Sequence, residues 1–82
     1  MFYFYILLSE KDKKFYYGYT GNLQRRMIEH KEGKVVATKN RRPVKLVYYE
    51  EYGEKSQAEI RERQVKKSGR LRKELKQKID EV

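Results

Sequence analysis

Tyr5 closes the triplet Tyr3-Phe4-Tyr5, and Tyr16 opens Tyr16-Tyr17-Gly18 eleven residues later. A phenol hydroxyl can orient a water molecule or take its proton. With a pKa near 10, however, it is a poor base at neutral pH unless a cation stands beside it. Arg26 is such a cation. A guanidinium stays charged at any working pH, and its fork of N–H donors matches two oxygens of a phosphate. His30 follows four residues later, so on a helix the two share a face. Glu62 is the carboxylate of interest. At the helical turn angle, Ala58, Glu62 and Val65 fall within about 60° of one another, which sets Glu62 at the edge of an inward stripe. A carboxylate there needs a partner, and a divalent metal is one. A lone carboxylate suits Mg²⁺, which keeps most of its waters and takes further oxygens from phosphate.

Each of these residues also has a plainer reading. Aromatic residues favour strands, and with eight tyrosines in the chain most of them only pack. Arg26 reads as a solvated helix arginine, His30 as a surface or packing residue, and Glu62 as the i,i+4 partner of Lys66.

The elements that must position these groups follow from pattern. Phe2 to Leu8 reads as a strand, Ser9 to Lys14 as a charged hairpin loop, and Phe15 to Thr20 as a second strand. An even-numbered loop puts residues 5, 7, 16 and 18 on one face, with Tyr5 and Tyr16 as diagonal neighbours. Gly18 beside them has no side chain and leaves room for a phosphate or a backbone. Asn22 is a good N-cap for a helix from Leu23 to about Lys31, which Gly33 ends. Lys34 to Pro43 shows no period and reads as a loop. Val44 to Tyr52 reads as the third strand. Ser56-Gln-Ala-Glu59 fits a capping box, predicting a helix from there to about Lys67. After Ser68-Gly69 a last helix, 69–82, carries Leu71, Leu75, Ile79 and Val82 on one stripe. The expected fold is a single α+β (α/β) domain over residues 1–82. Its three-stranded antiparallel sheet is flanked by helices in the order ββαβαα.

Composition narrows the function classes. The 82 residues leave room for one domain, and 38% hydrophobic against 40% charged residues makes its core small. There is no cysteine, which excludes disulfide, zinc-finger and thiol chemistry, and one histidine excludes a multi-histidine metal site. No apolar run is long enough to span a membrane, and the opening MFYFYILL lacks the flanks of a signal peptide. A cytoplasmic protein is expected. The net charge of +9 favours a polyanion, nucleic acid first. Lys31 to Lys45 holds six Lys/Arg against one Glu, centred on Lys39, Arg41 and Arg42. That run predicts phosphate contacts with salt-dependent, sequence-independent affinity.

The two tyrosine triplets, the Leu23-x-x-Arg26 step and Glu62, in that order, resemble the GIY-YIG nuclease superfamily, in particular its small stand-alone bacterial members. The likeness covers a catalytic-type module over 2–70. Similar small members also carry a Glu-His pair, here Glu29-His30, and an Arg-Pro-Val-x-Leu-Val-Tyr strand, here Arg42 to Tyr48. Tyr3 stands where the family's first glycine would, and Tyr17 where its isoleucine would.

The resemblance implies a divalent-metal-dependent endonuclease acting on DNA, in repair or other nucleic-acid processing. It implies that Tyr5 or Tyr16 activates the water and that Arg26 stabilises the charge at phosphorus. It adds His30 to the catalytic set, and Glu62 as the ligand of Mg²⁺ or Mn²⁺. The familiar nucleases join this module to a domain that chooses the DNA site. A single domain predicts a partner protein for targeting, and a monomer or weak homo-oligomer. Two other readings use the same residues: a non-catalytic nucleic-acid-binding module that keeps the fold, and a small partner-binding protein. Binding alone has no need of Glu62.

Overall fold

The apolar N-terminal stretch becomes the middle strand of the sheet. In the computed structural model, which describes residues 1–80, β1 (Phe2–Ser9) pairs antiparallel with both β2 (Phe15–Thr20) and β3 (Val44–Tyr52), in the order β2-β1-β3. Phe4, Tyr5, Ile6 and Leu7 are at most 1% exposed. A strand bonded on both edges and covered on both faces must be apolar on both, which is why Phe2–Leu8 shows no alternation. The hairpin register sets Tyr5 opposite Gly18 and Leu7 opposite Tyr16. Tyr5 and Tyr16 are therefore diagonal neighbours on one face, as the even loop predicts. A bulge between Ile6 and Leu7 shifts the pairing with β3 by one residue.

Phe4 and Ile6 point to the other face, where they meet Val65 of α3 (Lys55–Lys67) and Leu75 of α4 (Gly69–Asp80) in the main core. Tyr17, Tyr48, Tyr52 and Ile79 pack against that cluster. Val82, expected on the α4 stripe, lies outside the described residues. A half-buried polar knot fastens α3 to β3. The Arg61 guanidinium donates to both oxygens of Glu50, at 2.9 and 3.1 Å, and the Tyr48 and Tyr52 hydroxyls donate to the same carboxylate. Arg61 also lies 5.8 Å from the Phe4 ring centroid.

The tyrosine face is covered by α1 (Leu23–Lys31) and a short α2 (Val36–Lys39). Asn22 caps α1 as expected, its Oδ1 accepting from Arg25 N at 3.0 Å. Gly33, at φ +77°, takes the left-handed conformation just beyond the helix. The order ββαβαα holds, with α2 added inside the segment read as a loop. One turn of helix is too short to show a period. The capping box of α3 is Glu54 with Gln57, not Ser56 with Glu59. The chain leaves β3 at Gly53, so Glu54 is the first side chain able to cap.

Candidate active site

The site begins where β2 lacks a side chain. A Cβ at Gly18 would lie 2.6 Å from both Cζ and the hydroxyl oxygen of Tyr5. The space is therefore already filled. Gly18 lets the Tyr5 ring lie across the neighbouring strand, and it does not open room for a phosphate as the sequence suggested. The ring carries the Tyr5 hydroxyl over β2 to His30, whose Nε2 is 2.8 Å away. On the other side of the imidazole, Nδ1 is 2.7 Å from Thr38 Oγ1. Tyr5, His30 and Thr38 are all buried. Tyr16 completes the cluster, its ring centroid 5.4 Å from that of His30 and 6.3 Å from that of Tyr5. It is only half-buried.

Burial pushes the Tyr5 hydroxyl up to about 12; the Arg26 guanidinium opposes that rise, while Tyr16 and Glu62 add to it. The charges and hydroxyls that act on Tyr5 of β1 thus lie on three other elements: Tyr16 of β2, Arg26 of α1 and Glu62 of α3. Burial also holds His30 down at about 4, helped by the Arg26 charge, so the ring is neutral at physiological pH. Burial works against the charge on Arg26 itself, but Tyr5 and Glu29 outweigh it. Arg26 Nη1 donates to Glu29 Oε1 at 3.0 Å.

The network has a polarity. A guanidinium only donates, so the Tyr5 oxygen presents lone pairs towards Arg26. When the hydroxyl hydrogen goes to His30 Nε2, the ring proton is on Nδ1 and Thr38 Oγ1 accepts it. His30 is thus enclosed and engaged at both nitrogens. It touches a substrate only through Tyr5.

Glu62 is partly exposed, with its side chain at 19%, and it pairs with Lys66 at 3.5 Å. The i,i+4 pair is therefore present, and the Glu62 charge also adds to the rise of the Tyr5 hydroxyl. Among the described residues no three His, Asp or Glu side chains converge. A single carboxylate with open sides fits a cation that keeps its waters, such as Mg²⁺, and not an all-protein cage.

The predicted phosphate-contacting residues divide. Arg41 Nε donates to Asp12 Oδ2 at 2.8 Å, and its Nη2 to the carbonyls of Lys14 and Phe15, so it ties the hairpin loop down. That pairing draws the Asp12 carboxyl down to about 2. Arg42 donates to the carbonyls of Lys39 and Lys31, bracing the ends of α2 and α1. Both guanidinium groups have internal partners, which a count of charges along the loop does not reveal. Lys39 is exposed, as expected. Thr38 is the member that sequence reasoning missed. It lies eight residues beyond His30 in a segment without period, and no local signal marks it.

The GIY-YIG catalytic domain family matches residues 1–76. The chain belongs to the GIY-YIG family. Among its relatives, a UPF0213 protein of Syntrophus aciditrophicus is 47% identical over 69 residues, covering 82% of this chain and 79% of that one. A UPF0213 protein of Lactiplantibacillus plantarum is 43% identical over 60 residues, and that match spans 70% of this chain but only 58% of the relative. The solution structure of UPF0213 protein BH0048 from Bacillus halodurans superposes with a TM-score of 0.54 at 34% identity, over 92% of this chain and 81% of that one. Family membership brings the expectation of nuclease chemistry and a nucleic-acid substrate to the Tyr5–Tyr16–Arg26–Glu62 cluster.

Proposed function

We propose that this protein is a divalent-metal-dependent endonuclease that hydrolyses phosphodiester bonds in DNA. The observation that carries the reading is the packing of Tyr5, Tyr16 and His30 together in a GIY-YIG domain, with the charges of Arg26 and a partly exposed Glu62 both acting on the Tyr5 hydroxyl. Tyr16 is the group that meets the attacking water, because it is partly exposed while Tyr5 is enclosed. Tyr5 holds its proton to about pH 12 and serves as a positioning hydroxyl, fixed by His30 and aimed at Arg26. Arg26 binds the non-bridging oxygens, and its contacts tighten as charge builds at phosphorus. Glu62 would hold Mg²⁺ or Mn²⁺ through one carboxylate. When bound, that ion offsets charge on the leaving oxygen.

The test is nicking of supercoiled plasmid by purified protein with Mg²⁺ or Mn²⁺ against EDTA. Glu62→Gln, Arg26→Ala and Tyr16→Phe should each abolish metal-dependent nicking and leave the folded state intact. Tyr5→Phe keeps the ring in place and should reduce nicking less than Tyr16→Phe. A wild-type protein that binds DNA and never cleaves it with either metal would favour the non-catalytic binding module. Nicking unaffected by any of these changes would come from a contaminant.

A further inference from the structure

Beside the C-terminal ends of α1 and α2 there is a cleft of about 400 Å³ on the surface. Its cations come from four segments: Lys11 of the hairpin loop, Lys31 at the end of α1, Lys39 at the end of α2, and Arg42 in the link before β3. No acidic residue lines it. Among the described residues, none of the three lysines lies within ion-pair distance of a carboxylate. The carbonyl ends of two helices meet here, and their negative poles would ordinarily compensate the lysines. Arg42 prevents this by donating to the Lys31 and Lys39 carbonyls, at 3.3 and 2.9 Å. Lys11 Nζ donates to the Asn40 carbonyl at 3.1 Å, which fixes that side chain over the cleft and leaves two donors free. The cleft is therefore a carboxylate-free set of ammonium donors beside a guanidinium. That chemistry suits adjacent phosphate groups.

We propose that this cleft is a second phosphate site, seating the backbone of the bound strand beyond the phosphate at Arg26. Lys31 lies five residues after Arg26 on α1, about 7.5 Å along the axis and about 140° around it, so a strand held at both passes round the C-terminal end of that helix. This use of the cleft rests on the nuclease reading, but its affinity for phosphates does not.

The experiment measures binding in EDTA, so cleavage plays no part. A short fluorescein-labelled DNA oligonucleotide is titrated over a range of salt. Inorganic pyrophosphate is titrated separately, followed through the backbone amide NMR shifts of Lys31 and Lys39. The variant carries Lys11→Gln, Lys31→Gln and Lys39→Gln, and leaves Arg42 in place. A control removes equal charge from the opposite side with Lys67→Gln, Lys73→Gln and Lys76→Gln. The cleft variant should lose about two units of the slope of log affinity against log salt. The control should lose clearly less, and pyrophosphate should shift the two amides only in protein that keeps the cleft. Amide shifts with pyrophosphate but no oligonucleotide binding by wild type would keep the phosphate site, assign it to a free polyphosphate, and remove the nuclease reading. Equal slopes in the two triple variants, or no binding of either probe, would overturn the proposal.

Discussion

Thr38 has no chemistry to offer a phosphate, yet its hydroxyl is the buried partner of His30 Nδ1. Thr38→Val keeps the shape and leaves the buried Nδ1–H without an acceptor. It should cost about 1–3 kcal/mol of stability in urea unfolding. Thr38→Ser should recover most of that loss. His30 also sets a pH dependence. Its folded pKa is depressed from 6.5 to about 4, so its contribution is complete above pH 6.5. The unfolded chain binds the extra proton below that, and stability falls as pH drops from 6.5 towards 4. Chemical denaturation across this range should show the decline, and His30→Gln should flatten it.

Two elements carry the geometry of the cluster. On β2, Gly18 leaves the space through which Tyr5 crosses the sheet. Gly18→Ala forces the ring aside, because the contact is with a buried ring and not with the end of a flexible chain. The expected cost is about 1–3 kcal/mol in denaturant, with displacement of the Tyr5 hydroxyl visible as a changed His30 imidazole resonance. On α3, Arg61 and Glu62 are consecutive but do different work. Arg61 is locked to Glu50 and so sets the rotation of the helix that carries Glu62. Burial raises the Glu50 carboxyl, but hydrogen bonds from Arg61, Tyr48 and Tyr52 outweigh it and hold it below the usual range. Glu50→Ala removes the acceptor of four hydrogen bonds and should cost about 2–3 kcal/mol, measured by urea titration.

Across the whole molecule, charge dominates. Twenty-one Lys/Arg against twelve Asp/Glu in 82 residues give a surface that attracts polyanions over several ångströms. Affinity for DNA should therefore fall steeply as salt rises and vary little between sequences, as checked by fluorescence anisotropy on unrelated duplexes. A shallow salt dependence would remove the polyanion reading. Arg41 and Arg42 are poor probes of this effect, because their substitution would also release the hairpin loop and the helix ends. No described helix is long and apolar enough to cross a membrane.

Local rules sufficed for what depends on neighbours in the chain. The three strands, the Asn22 cap, the Gly33 terminator and the shared face of Tyr5 and Tyr16 follow from turn chemistry, capping and the two-residue period of a strand. The place of Glu62 at the edge of the inward stripe of α3 follows from helical geometry, and Ala58 and Val65 on that stripe are fully buried. Partners distant in the chain were decided only by tertiary structure. The Tyr5 ring occupies the space that Gly18 leaves empty. His30 is sealed between Tyr5 and Thr38, and the loop arginines turn inward to carbonyls and to Asp12. The physical reason is that a hydrogen bond or a steric void is a relation between two surfaces. Composition and period describe each surface alone, and only folding determines which two meet.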